Sequence, residues 1–139
     1  VRQEQKIIFM DAFEKHLAAF RRKRREYIVC GDFNIVHKEK DIKNWKANQK
    51  SSGCLPEERA WLDTLFDDRG WIDAFRHLND ESGQYTWWSN RGRARENNVG
   101  WRLDYQVVTP GLKDALVSTS VYKDSWFSDH APLIVDYDL

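Results

Sequence analysis

The chain has 139 residues, 41% of them hydrophobic, with 22 Lys+Arg balanced by 22 Asp+Glu. That length is typical of a single domain with its own core, and seven Trp, seven Phe and five Tyr argue against disorder. No apolar run approaches the ~20 residues of a membrane span, so no membrane partner is expected. Zero net charge leaves any case for nucleic acid to local basic patches. Cys30 and Cys54 are too few for a disulfide framework, which suits a reducing compartment, the cytoplasm. The first residues carry neither a signal-peptide core nor an initiator Met, so the chain reads as beginning inside a longer protein.

Residues 3 to about 25 read as one helix, because Met10, Phe13, Leu17 and Phe20 recur at helical spacing. It ends in Arg21-Arg22-Lys23-Arg24-Arg25, a run suited to the negative end of a helix dipole or to a nucleic-acid patch. Tyr27-Ile28-Val29-Cys30 predicts a short buried strand stopped by Gly31. Asp32 to Leu55 is polar and aperiodic, a loop of the length that usually serves function or is disordered.

Pro56 can open a second helix, with Trp61, Leu62, Leu65 and Phe66 inward and Gly70 as its stop. Trp71 to Phe75 predicts a short structured turn, and Tyr85 to Trp88 a strand. After a polar loop from Ser89 to Gly100, alternation over Trp101 to Val108 places Trp101, Leu103, Tyr105 and Val107 on one face. Arg102, Asp104 and Gln106 fall on the other. Val117–Tyr122 and Leu133–Tyr137 complete the strands, and the mixture predicts an α/β or α+β sandwich.

Three segments carry candidate chemistry. Gly31-Asp32-Phe33-Asn34 follows a strand; in extended backbone Asp32 and Asn34 share a face, and a carboxylate with an amide oxygen suits a hard cation or orients a water. The same residues also make ordinary turns. Ser128-Asp129-His130-Ala131-Pro132 pairs an acid with an imidazole, fit to bind metal, grip phosphate or share a proton. Were the strand of Asp104 to lie beside the last strand, its carboxylate could orient His130. Together these groups suggest metal-assisted attack of water on a phosphate ester.

Gly31-Asp32-Phe33-Asn34-Ile35, Tyr85-Thr86-Trp87-Trp88, Asn98-Val99-Gly100-Trp101-Arg102-Leu103-Asp104-Tyr105 and Ser128-Asp129-His130-Ala131-Pro132 together resemble the exonuclease III family of apurinic/apyrimidinic endonucleases. That family lies within the endonuclease/exonuclease/phosphatase superfamily. The resemblance implies a DNase I-like α/β fold, a four-layer sandwich of two similar halves, of which residues 1–139 match the C-terminal half. It implies a Mg²⁺-dependent (or Mn²⁺-dependent) DNA-repair hydrolase acting on double-stranded DNA at abasic sites, with 3′–5′ exodeoxyribonuclease activity.

By position, the resemblance implies that Asp32 activates water or protonates the leaving oxygen and that Asn34 holds nucleophile and phosphate. It makes His130 a phosphate ligand with Asp104 as its acidic partner, and Asp32, Asn34, Asp129 and His130 the metal site. Trp87, Trp101 and Leu103 match an apolar pocket for a base-free sugar, though each Trp is also a candidate for the core. Lys46, Asn48 and Ser51 match a loop gripping the DNA backbone, Asn98 a polar residue near the phosphate, and Arg91, Arg93 and Arg95 a loop near the lesion. The glutamate of the metal site and the active-site tyrosine belong to the other half. The chain alone is therefore expected to be inactive and to associate with an N-terminal half, or with itself, through an open sheet face. The rival expectations are a non-catalytic half-domain and a superfamily phosphoesterase with a non-DNA substrate.

Overall fold

The computed structural model describes all residues from Val1 to Leu139. It is a mixed α/β arrangement in which helices cover one face of a small antiparallel sheet. Helix α1 spans Arg2–Arg21, strand β1 Ile28–Asp32, helix α2 Pro56–Asp63, β2 Ile72–Asp73, α3 Ala74–Leu78, β3 Trp87–Trp88, β4 Gly100–Trp101, β5 Asp104–Val108, β6 Leu116–Val121 and β7 Leu133–Tyr137. No helix is long and apolar enough to cross a membrane.

Helix α1 forms where the apolar stripe predicts it. Met10 and Leu17 are buried, Phe13 and Phe20 pack against the same cluster, and Leu62 of α2 and Leu65 just beyond it belong to that cluster. The helix stops at Arg21, short of the end of the basic run, and Arg21 Nε donates to the Arg69 carbonyl at 3.0 Å. A cation thus caps the neighbouring helical segment, in keeping with the polarity of helix ends. Beyond α2 the chain widens into a π turn over Thr64–Asp68 and leaves it through Gly70 at φ +76°, a conformation that glycine adopts without strain.

Strand β5 is central, antiparallel to both β1 and β2. The register pairs Val29 with Val107 and Gly31 with Tyr105 on the face packed under α1 and α2. Cys30/Gln106 and Asp32/Asp104 pair on the opposite face. The expected buried strand at Tyr27–Cys30 is instead an edge strand starting one residue later, and its Ile28 and Cys30 are exposed. Ile28 and Cys30 lie on the face opposite α1 and α2 and are open to solvent, whereas Val29 packs inward.

Two further hairpins flank the sheet, β3 with β4 and β6 with β7. Gln106 joins β5 to β7 by donating to the Leu133 carbonyl at 3.1 Å and accepting from the Tyr137 hydroxyl at 2.7 Å. A bridge between Trp87 and His130 ties the β3–β4 hairpin to the approach of β7.

The strand expected over Trp101–Val108 breaks at Arg102 and Leu103, and Tyr85 and Thr86 lie outside the short β3. Arg102 is the reason. It does not face solvent as the alternation implied; it is fully buried between Asp41, at 2.7 Å, and Asp73, also at 2.7 Å. Its backbone N–H also donates to the Asp41 carbonyl at 2.8 Å. A buried guanidinium demands such partners, so the polar loop after β1 is pinned to β5 instead of lying free.

Candidate active site

Asp32 ends β1, Asp104 begins β5 directly across from it, and His130 approaches β7 beside both. His130 Nδ1 lies 2.8 Å from Asp104 Oδ2, and His130 Nε2 lies 3.7 Å from Asp32 Oδ2. Non-local pairing therefore turns residues 72 and 26 positions apart into one acid–imidazole–acid row.

Asp32 Oδ1 accepts the backbone N–H of Asn34 at 2.7 Å. That bond turns the chain, and Asn34 sits at φ +53°, not in the extended conformation that placed the two side chains on one face. Left-handed backbone is costly for a non-glycine residue and persists where its surroundings hold it. Here Lys6 Nζ donates to the Asn34 carbonyl at 2.9 Å, and Phe33 N–H donates to the Leu103 carbonyl at 2.9 Å. Asn34 is left exposed.

Electrostatics in this row are displaced from ordinary values. Burial opposes protonation of His130, but the Asp104 hydrogen bond and the charges of Asp104, Asp32 and Asp129 outweigh it, so its pKa is raised. Burial also pushes the Asp32 carboxyl up, reinforced by Asp104 and opposed by the Asn34 N–H, His130 and Lys6. A carboxyl that takes a proton more readily and an imidazole that keeps one are suited to acid–base work and to phosphate binding.

Asp32, Asp104 and His130 can each bring one ligand atom within 4.8 Å of the others. Asp129 stands outside that group, because its Oδ2 accepts from Trp87 Nε1 at 3.0 Å. Asp104 is committed to His130, whereas Asp32 and Asn34 are exposed. Two carboxylates and an imidazole brought this close can hold a divalent cation.

Next to the row, Trp87 and Trp101 meet edge to face at 6.0 Å and pack on the cluster of Val36, Ile42, Cys54 and Leu103. The structure therefore gathers Trp87, Trp101 and Leu103 in one place. Trp88 is fully buried and belongs to the core. Asn48 and Ser51 are half-buried and bonded to each other at 3.0 Å in a turn that leaves Lys46 exposed. The Asn98 side chain is engaged at both ends, accepting from Trp88 Nε1 at 3.0 Å and donating to the Gly83 carbonyl at 2.9 Å. Arg91 and Arg93 are exposed. Arg95 is not a free loop cation, since its guanidinium lies between the rings of Trp88 and Trp126.

Sequence reasoning missed Lys6, which holds the Asn34 carbonyl, and the buried role of Arg102, which ties Asp41 and Asp73 together. Their partners lie 28 to 61 residues away, and no local pattern marks them.

The chain is 43% identical over 111 residues to an exodeoxyribonuclease of Bacillus subtilis, a match covering 79% of this chain and 44% of that protein. It is 45% identical over 114 residues to a DNA-(apurinic or apyrimidinic site) endonuclease of Dictyostelium discoideum, covering 81% of this chain and 31% of the relative. A 3′-5′ exonuclease structure from Neisseria meningitidis superposes with a TM-score of 0.90 at 26% identity, over 98% of this chain and 54% of that one. The chain thus spans less than half the length of these two curated relatives. Residues 2–130 match the model of one family, and the chain belongs to it: the Endonuclease/Exonuclease/phosphatase family.

Proposed function

We propose that residues 1–139 form the C-terminal half of a Mg²⁺-dependent DNA-repair nuclease that hydrolyses the phosphodiester at abasic sites and degrades DNA from 3′ ends. One observation carries the reading: the Asp32–His130–Asp104 row stands beside the apolar cluster of Trp87, Trp101 and Leu103. An abasic sugar has no base edge to read, so an apolar pocket can select it by shape and by its low cost of extrusion. A phosphoesterase for a soluble, highly charged substrate would have no use for that wall.

In this mechanism His130, kept protonated by Asp104, binds the scissile phosphate. Asp32, with its raised pKa, takes a proton from the attacking water or gives one to the leaving oxygen, and Asn34 orients water and phosphate. Asp32 and Asn34 would hold the divalent cation, which when bound neutralises charge developing on the phosphate. Asp129 fixes the Trp87 indole at the pocket's mouth. Lys46 and Arg91 contact the DNA backbone without reading sequence.

Incision of a duplex containing one abasic-site analogue tests this. The full-length protein carrying this chain should cut in Mg²⁺, and Asp32→Ala should abolish cutting. Ordinary activity in that variant would remove Asp32 from the mechanism. A second reading, a half-domain that works only with a partner half or a second copy, is favoured by exposed Ile28 and Cys30 on the open face of β1. It requires the isolated chain to be inactive and to regain incision when the N-terminal half is added.

A further inference from the structure

Tyr122, Trp126 and Phe127 are all exposed, and Trp126 is 66% accessible in a fold that buries Trp71 and Trp88. Large apolar side chains left outside in a cluster mark a surface used for contact. Trp126 is nonetheless held firmly. The Arg95 guanidinium carbon lies 4.6 Å from its ring centre and 4.8 Å from that of Trp88, so three planar groups form a ladder rooted in the core. Arg95 Nη2 also reaches the carbonyls of Lys123 and Ser125, each at 3.4 Å, fixing the backbone that carries the ring. The outermost rung has no further rung of this chain stacked upon it.

This ladder borders a cleft of about 410 Å³ lined by Trp88, Arg95, Glu96, Asn98, Lys123 and Trp126. Trp126 precedes His130 by four residues, a span of at most ~14 Å of extended chain. Each nucleotide of a duplex strand advances about 3.4 Å along the axis, so the ring stands within a few nucleotides of a phosphate bound at His130. Lys123 on the same loop lines the cleft with Arg95 and supplies a cation beside the ring. An aromatic plane with cations at its rim is the combination that binds a base and its phosphate together.

We propose that Trp126 is a stacking platform for an unpaired or terminal nucleobase flanking the scissile phosphate, held ready by Arg95. The platform rests on DNA as the substrate. Because the ring is already fixed, stacking carries little ordering cost, and it favours strands whose flanking base is free of its partner. The platform adds to the abasic pocket, which reads the absence of a base at the lesion itself.

Fluorescence anisotropy of the full-length protein carrying this chain, with labelled DNA at fixed low salt, tests the assignment. The probes are abasic-site duplexes with frayed ends, in which the flanking nucleotides are replaced one at a time by a base-free spacer. Trp126→Ala should weaken binding roughly tenfold or more, while Trp126→Phe keeps most of the affinity. With the stacking base removed from the DNA, the unsubstituted protein should fall to the level of Trp126→Ala, and that variant should lose nothing more. Binding by Trp126→Ala equal to that of the unsubstituted protein would overturn the platform and leave the DNA reading standing. So would an equal loss on every probe whichever base is missing. Failure of the unsubstituted full-length protein to bind any of the probes would overturn both. Circular dichroism should show the variants folded, since the ring is mostly in solvent.

Discussion

Replacing Arg102 by Met tests the buried charge network that aligns β5. The guanidinium gives Asp41 contacts at 2.7 and 3.4 Å and Asp73 contacts at 2.7 and 3.1 Å, with all three residues buried. Methionine matches much of the volume but donates nothing. Asp41 would keep Arg76, at 2.6 Å, whereas Asp73 would keep only the Arg76 backbone N–H at 3.3 Å. Breaking a buried pair by removing one partner costs about 3–5 kcal/mol, a large part of a domain's stability of roughly 5–15 kcal/mol. With a urea m-value near 2 kcal/mol per M, the midpoint of unfolding should fall by about 2 M, as read by Trp fluorescence.

Adding Asp73→Asn to Arg102→Met should recover part of that loss, because no buried carboxylate is then left unpaired. Acid supplies a second check. Burial pushes the Asp41 carboxyl up, but Arg102 and Arg76 overcome it and hold the group well below the usual carboxylate range. A depressed folded-state pKa contributes stability above the unfolded value near pH 4 and loses it as pH falls below that point. The gap between wild type and Arg102→Met should therefore narrow below about pH 4. A loss under about 1 kcal/mol at neutral pH, or a gap that widens in acid, would refute the reasoning.

Asp104→Asn should lower the His130 pKa, followed by NMR of the ring protons; an unchanged titration would show that Asp104 does not govern the imidazole. Because that pKa is raised in the folded chain, His130 contributes stability below its unfolded value near pH 6.5 and loses it as pH rises through the folded value, and the variant should shrink that window. Gly100→Ala should lower the melting temperature, at about 1–3 kcal/mol, since a Cβ there would lie 2.6 Å from Trp88 Nε1 and 2.8 Å from Tyr85 Cβ. Gly31→Ala, with no atom within 4 Å, should leave melting nearly unchanged. Lys6→Met should destabilise by leaving the fully buried Glu58 carboxylate without its cation, and Lys6→Met/Glu58→Gln should recover stability in the same melts.

Much of this fold is legible in the sequence where the signal is local. Met10, Phe13, Leu17 and Phe20 announce α1 because the stripe they make is the stripe they bury. Gly70 marks the end of the second helical segment because a positive φ is needed there. Arg102 is misread for the opposite reason: alternation assigns it to a polar face, while its burial depends on Asp41 and Asp73, brought in from far along the chain. The exposure of Ile28 and Cys30 is equally invisible, since a short apolar run looks the same whether or not anything covers it. Asn34 looks extended until the Asp32 carboxylate captures its N–H, a choice between strand and turn that the two residues alone leave balanced.

The register of β1 on β5 explains why the site occupies this end of the sheet. It sets Asp32 directly opposite Asp104, and like charges so placed repel. Elsewhere on this face the pairs are neutral, Cys30 with Gln106 and Ile28 with Val108. A fold selected for stability alone would have no reason to keep two carboxylates in register at a partly desolvated strand end. Their repulsion is relieved by a positive centre between or beside them. His130 supplies one, and its raised pKa is the same interaction seen from the imidazole. Asp32, farther from His130 than Asp104 is, remains the less satisfied of the two acids, with its pKa also raised. One carboxylate is therefore hydrogen-bonded to the imidazole, and the other is left more exposed, near the apolar cluster of Trp87, Trp101 and Leu103. In the proposed mechanism that asymmetry, set by register and distance, divides the two acids into one that positions His130 and one that reacts.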